Sequence, residues 1–590
     1  MASSATASPA SRPSGAPRAA ANDPILRNAL RYTISAREYA ALHKYVLSRS
    51  RTIKKRAPTV ETVTRIMNGD GPSPARTTPV SKDAKGKTRE VEGLIRAPGR
   101  AASAVGADDY NARAVRHSVR VFVATGVAMK LWTSVMRRLS GKTPDPSEKK
   151  PFYKSPTLRL SLSLSSILLL YRLLFRFFTR LRLHVLNPSA APFRQRNPRV
   201  ADTLTSPYAP AVGASLAGLA LGIYPSQQLR VSVAIYALFR ALEFGWNVAE
   251  DGGMIWGWEK GGRIKKQRPW WWGSWMLQPF AFGQLLHAAV FDRDCFPKQY
   301  GDFIFGRTTA YLHSRPLDYP ANLKWPRTYD VVDGLAQMAK LHWPPFISPT
   351  LFPNKEATLP AALSAMAPLT NGAHPLITSL SCATLHPSDP SCVRTYLTFW
   401  LQTFPPLGRF FLILFSALQL PRFRKLYNFP VTTLNRVVAR ALRMSTFVTG
   451  SISTAWASIC FFQAWLPRHV LATQRFFLGG FLAGFWAFIE RRQGRGAFLY
   501  SARASVDSLW KVGVKRRWWR AMKGGDVWVF VAALMLTGVV YERDARAVRE
   551  GSWRKGISWV RGEGWRDWSV DDEEGAMEAV DADDAAEREL

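Results

Sequence analysis

Only four cysteines occur in 590 residues, too few for a disulfide framework to hold a chain of this size. Acidic residues are also scarce: 42 Asp and Glu stand against 80 Lys and Arg, a net charge of +38. Such an excess suits either nucleic acid or an anionic membrane. There is no HExxH pair and no nucleophile elbow, so the usual metalloprotease and hydrolase signatures are missing and an enzyme is not expected. Long unbroken apolar runs are missing too. The apolar stretches are short and broken by Arg or Gly, and mean hydropathy is −0.10.

Aromatic residues are what the chain has in quantity, with 22 Trp and 33 Phe. Rings with one wet edge gather at bilayer interfaces, and Lys and Arg gather in the loops that are not translocated. Here the basic residues sit between apolar runs, which favours a bilayer and its anionic lipids as partners over nucleic acid. Membrane proteins or a second copy of the chain are further candidate partners. Polar ends and a long central insert account for the low mean hydropathy.

Parts of the sequence occur twice. SLAGLALGIY at 215–224 is matched by FLAGFWAFIE at 481–490, and VFDRD at 290–294 by VYERD at 540–544. Between them, Ile235-Tyr236 is followed by Glu243 as Leu499-Tyr500 is followed by Asp507, and Trp270–Trp272 finds a counterpart in Trp518–Trp519. These matches, in one order, predict a duplicated unit of about three helices. The expected fold is therefore all-α: a polytopic integral membrane protein, a helical bundle with an internal duplication of Gly-containing hairpins. Gly218 and Gly222, and again Gly480 and Gly484, are spaced for close helix packing. Charges inside such helices are costly alone and are usually paired or functional. Arg240 and Glu243 at i,i+3, and Arg503 and Asp507 at i,i+4, are the expected pairs, and together with Glu490 and Arg491 they are the structural or transport candidates.

The insert ends in CATLHPSDPSC, Cys382 to Cys392, with His386 between the cysteines. Three states fit it: a metal site with Asp389 as fourth ligand, a disulfide, or packed free thiols. The spacing matches no standard metal motif, so neither metal nor cofactor is expected, and the stretch is a disulfide or loop motif.

The chain divides into a largely disordered basic region at 1–110, a first membrane unit at 111–310, a non-membrane insert at 311–380, a second membrane unit at 381–545 and an acidic disordered tail at 546–590. A helix near 35–48 interrupts the first region, started by a capping box of Ser35 and Glu38. Arg172, Arg176 and Arg180 share one helix face and either line the bundle interior or lie in the headgroup plane. Basic loops at 179–206, 250–268, 421–443 and 491–495 all face one side if the spans are 212–224, 231–248, 276–290, 410–420, 446–465 and 476–489.

The Cys382–Cys392 loop, the Ile489-Glu490-Arg491 turn, Arg495-Gly496 and the helix carrying Asp507 resemble the transmembrane protein 135 family in an extended form. That family's paired Gly-rich helices are in turn more distantly similar to the mitochondrial inner-membrane translocase channel family. The resemblance covers roughly 380–545 and, more faintly, 205–310. The chain departs from the pattern where Asp389-Pro390 separates His386-Pro387 from Ser391-Cys392. What the resemblance implies is a non-enzymatic multispanning protein of peroxisomal or mitochondrial membranes that supports organelle dynamics or lipid handling. The alternative expectation is a transporter or translocase-like channel for a metabolite, lipid or polypeptide.

Overall fold

The computed structural model describes residues 32–45, 59–61, 63, 107–140, 155–258, 266 and 268–569, less short gaps at 309–310, 314, 318, 321, 354–358 and 423–426. The expectations for 1–25, for most of 50–108, for the basic glycine-rich loop at 259–265 and for the acidic tail from Asp571 lie outside the described residues.

Among the described residues every regular element is helical, and an isolated bridge joins Pro345 to Ser379. The principal helices are α1 (Ala36–Tyr45), α2 (Ala107–Ser140), α3 (Pro156–Leu186), α4 (Ala209–Ser215), α5 (Gln227–Asp251), α6 (Leu277–Phe291), α7 (Lys298–Phe305) and α8 (Thr328–Lys340). They continue with α9 (Leu380–Leu385), α10 (Cys392–Ala417), α11 (Pro430–Trp465), α12 (Arg475–Gly484), α13 (Arg495–Lys515), α14 (Gly525–Arg543) and α15 (Gly551–Arg561). The capping box forms at α1: the Ser35 amide donates to the Glu38 carboxylate at 3.0 Å and the Glu38 amide to Ser35 Oγ at 3.3 Å. Pro405 and Pro406 do not end a helix. They sit inside α10.

Among the described residues, three helices are long and apolar enough to cross a membrane: Tyr110–Arg138, Pro156–Leu186 and Gly525–Arg543. Pro198–Thr205 and Ala209–Ile223, bent by 85°, pass together and make a fourth if they are one broken span. The other expected spans do not reach that standard among the described residues, for visible reasons. Helix α6 has only 15 residues and α12 only 10, while the expected span of α5 carries Arg240 and Glu243 and that of α11 is diluted by Thr446, Thr449, Ser451, Ser453, Thr454, Ser458 and Gln463.

The chain forms two compact units, 1–257 with 523–590, and 258–522. In the first, α2 packs along α3, α3 carries α4, and α5 packs on α14, which also lies against α4. In the second, α10 packs along α11, α11 carries α12, and α6 packs on both α12 and α13. In both, the helix carried by the long pair tightens into 3-10 geometry, at Leu216–Ile223 after α4 and at Phe485–Glu490 after α12. The expected boundaries 111–310 and 381–545 therefore do not coincide with the units: α6 belongs with the later helices and α14 with the earlier ones.

The insert contributes to a core: Tyr311, Leu335, Met338, Trp343, Leu363 and Met366 are buried in the second unit with Trp456 and Phe476. One further expectation is corrected, since the tail does not begin at 546. Residues 551–561 form α15, whose final turn accepts from the buried Arg172 of α3: its guanidinium donates to the Trp559 carbonyl at 2.5 Å and the Val560 carbonyl at 3.3 Å. Carbonyls at a helix C-terminus are the negative end of the helix dipole and a natural seat for a cation. Arg172 thus points into the first unit, and Arg176 reaches Asn111 Oδ1 at 2.6 Å.

Candidate functional site

Chemistry-bearing side chains gather most closely in the second unit, where α9, the loop after it, the start of α10 and the last third of α11 meet. Cys382 lies within α9, His386 caps its C-terminus and Cys392 is the first residue of α10. Cys460 reaches the same point from α11. Their ligating atoms all lie within 4.8 Å of one another, with His386 and Cys460 buried and Cys382 and Cys392 half-buried. The Cys382 and Cys392 sulfurs are 3.8 Å apart, and His386 Nε2 is 3.4 Å from Cys392 Sγ and 3.5 Å from Cys460 Sγ.

The loop is built to hold this geometry. His386 Nδ1 faces the Asp389 carbonyl at 2.7 Å. A carbonyl only accepts, so Nδ1 carries the proton and Nε2 is the nitrogen turned to the sulfurs. The Asp389 carboxylate accepts from the Ser391 amide at 2.9 Å and pairs with Arg394 at 3.6 Å, so it faces away from the cluster and is not its fourth member. Ser391 caps α10 by accepting from the Arg394 amide. Cys392 consequently stands at the positive end of a 26-residue helix, a position that favours thiolate. Hydrogen bonds from its sulfur and imidazole neighbours draw the Cys392 thiol well down. Burial opposes charge on His386, yet its contacts with the Cys382 and Cys392 sulfurs and the Asp389 carbonyl lift it to about 10.

All four cysteines are free thiols, and 3.8 Å between Cys382 and Cys392 is nearly twice a disulfide bond of about 2.05 Å. Sequence reasoning missed Cys460. Its only signal was the count itself, since a chain with four cysteines brings three of them to one point.

The second unit also holds a partly open cavity of about 330 Å3 between α6, α7, α8, α10, α11, α12 and α13. Its wall is almost wholly apolar, with Phe282, Leu286, Phe410, Phe447, Ile452 and Trp456 prominent. Gln278, Tyr300, Ser451, Tyr500 and Ser501 bring polar groups to that wall. Gln278 donates to Ser501 Oγ at 3.3 Å while its Oε1 is buried without a partner, and Ser451 Oγ is likewise buried without one. Neither was singled out by sequence, because one Gln and one Ser in apolar helices carry no pattern.

The paired charges fall in both units. Arg240 reaches Glu243 at 3.2 Å and Glu550 at 3.3 Å, and its guanidinium lies over Trp553. Asp507 pairs with Lys511 one turn later at 2.6 Å, while Arg503 Nε donates to the Leu499 carbonyl at 3.1 Å. Lys at i+4 presents its ammonium directly above the carboxylate. Glu490 is buried and paired with Arg443 at 3.1 Å and Arg440 at 4.0 Å, and Arg491 covers Phe488.

The glycines differ between copies. A Cβ on Gly480 would stand 2.3 Å from the Phe282 carbonyl oxygen, and one on Gly484 2.3 Å from Pro279 Cα, so both receive α6 at backbone contact. Gly218 meets Val531 at 3.0 Å, but Gly222 meets only Val527, at 3.8 Å. The reason is the 3-10 geometry there: at three residues per turn, positions four apart no longer share a face.

His287 and Asp292 have four residues between them, the His-x4-Asp spacing expected of an acyltransferase, which sequence reasoning overlooked. The structure spends both Asp292 oxygens elsewhere, on Arg516 at 2.6 Å and Lys515 at 3.6 Å. The His287 ring packs on Phe291 at 4.8 Å. The spacing is present; the contact a His–Asp dyad uses is made by other residues. Compared with family models, with curated proteins and with solved structures, the chain gives no match, so its functional reading rests on these geometries.

Proposed function

We propose that this is a non-enzymatic, duplicated helical membrane protein whose second unit holds the apolar body of a lipid. The single observation that carries the reading is the cavity of about 330 Å3, at the small end of ligand pockets of roughly 300–1,000 Å3. A site of that size, almost wholly apolar and with the unpartnered Gln278 and Ser451 oxygens in its wall, suits one acyl chain or one ring system with a single polar end. The like order of packing in the two units supports the duplication: a long pair, a carried helix that tightens to 3-10, a returning helix and a fifth. The resemblance to the transmembrane protein 135 family supplies the setting, a peroxisomal or mitochondrial membrane and a part in lipid handling or organelle dynamics.

The test is photolabelling. Detergent-purified chain carrying a photoactivatable fatty acid or sterol analogue should be labelled on α6 and α11. Ala455→Phe, which narrows the cavity from its wall, should cut that labelling about tenfold while the protein stays monodisperse. Labelling that spreads over the lipid-exposed helices and ignores Ala455→Phe would remove the reading. The transporter alternative has one observation behind it: Arg240 lines a cavity of about 560 Å3 in the first unit, with Thr537 and Trp553.

A further inference from the structure

We propose that Cys382, His386, Cys392 and Cys460 form a structural zinc site in the second unit. Zinc–sulfur bonds of about 2.3 Å and zinc–nitrogen bonds of about 2.0–2.1 Å at tetrahedral angles require sulfurs about 3.8 Å apart and sulfur–nitrogen separations of about 3.5 Å. The cluster holds the Cys382 and Cys392 sulfurs at 3.8 Å, two sulfur–nitrogen pairs at 3.4 and 3.5 Å, and every remaining pair of ligating atoms within 4.8 Å. Three thiolates and an imidazole, all from the protein, close the shell and leave no position for water, the arrangement of a structural rather than a catalytic zinc. The orienting contact that zinc-bound histidines use is already made, since Nδ1–H donates to the Asp389 carbonyl and fixes the ring with Nε2 inward.

Binding replaces three thiol protons: Zn2+ joins three thiols and one neutral imidazole, three protons leave, and the site carries one net negative charge. The start of α10 at Cys392 is where that charge is best tolerated. The ligands come from α9, the loop beyond it, α10 and α11, so one ion ties the end of the insert to the long helix pair. His313 Nε2 at 3.1 Å from the Leu385 carbonyl, and the His374 amide donating to the Pro387 carbonyl at 2.7 Å, hold the same loop from the insert side. A metal here also explains why a chain so poor in cysteine places three of four together while the fourth, Cys295, packs apart with Ala288 and Val512.

Full-length protein, purified in detergent without chelator, is assayed for metals by mass spectrometry and for free thiols by alkylation. The expected result is one zinc per chain, with Cys382, Cys392 and Cys460 protected until the metal is displaced. Exchange for Co2+ should give the intense d–d bands and sulfur-to-metal charge transfer of a tetrahedral thiolate site. Cys460→Ser should weaken retention of zinc by at least about 100-fold, and Cys295→Ser should leave it unchanged. If Cys460→Ser does not fold, the wild-type zinc content and cobalt spectrum still decide. Wild-type protein with less than about one zinc in ten chains and freely alkylated cysteines overturns the proposal. So does a Cys382–Cys392 disulfide in protein alkylated at lysis, or stoichiometric iron or copper in place of zinc.

Discussion

Arg240 and Glu243 illustrate how a charge is kept inside a helical unit. The carboxylate is half-buried and the guanidinium serves it, Glu550 and the Trp553 face together, so removing one partner leaves a charge with poorer company. Glu243→Gln should lower stability by about 1–3 kcal/mol, read as lost yield of monodisperse protein. Arg240→Leu with Glu243→Leu should recover much of it, since an apolar pair of similar volume has no charge to satisfy. A transporter predicts the reverse: both variants fold and reach the membrane, but liposome flux or the cellular lipid phenotype is lost in each. If Glu243→Gln leaves abundance and phenotype both unchanged, the pairing does not matter. This pair was legible in sequence because i,i+3 spacing on a helix fixes proximity. The partner of Asp507 was less so, since Arg503 and Lys511 both stand one turn away and only rotamers choose between them. Cys460 was not legible at all, because its contact with His386 is made by tertiary packing.

At the scale of elements, helix caps and close approaches were readable where local geometry suffices. Ser35 and Glu38 form their box because both partners lie within one turn. The Gly480–Gly484 face works because α12 is α-helical throughout, whereas Gly222 drops out of contact where the backbone tightens, a change no residue type announces. Docking of α1 has a pH signature. Arg120 hydrogen-bonds the Glu38 carboxylate and, against a smaller cost of burial, lowers it from the usual 4.5 to about 2. A depressed carboxylate stabilises the folded state above its ordinary pKa, and that contribution fades as the pH falls from about 4.5 toward 2. Both side chains are nearly half exposed, so the effect is local. Hydrogen exchange across 36–45 should be slower at pH 6 than at pH 3 after correction for intrinsic rates. Arg120→Gln should abolish the difference. Equal protection at both pH values would mean that the ion pair does not hold α1.

For the whole molecule, the sequence correctly indicated an all-helical chain, but not which helices share a core. Linear order placed α6 in the first half and α14 in the second, and packing assigns them the other way. The same limit misplaced the start of the tail, because a basic, tryptophan-containing stretch such as 551–561 shows its purpose only against Arg172. That purpose can be tested by where the chain is cut. Ending it at Ser569 removes only the acidic segment and should leave yield and monodispersity unchanged. Ending it at Arg543 keeps α14 but strips the Trp559 and Val560 carbonyls from the guanidinium of Arg172, which is 2% exposed. A buried cation without acceptors costs several kcal/mol, so this shorter chain should aggregate on extraction. Arg172→Leu in the shorter chain should restore part of the monodisperse fraction, because one uncompensated charge is then gone while buried Glu542, which loses Arg561, keeps the rest of the cost. If the chain ending at Arg543 behaves like the full one, α15 is dispensable to the first unit and Arg172 draws its stabilisation from elsewhere, His117 Nδ1 at 2.8 Å being the nearest remaining contact.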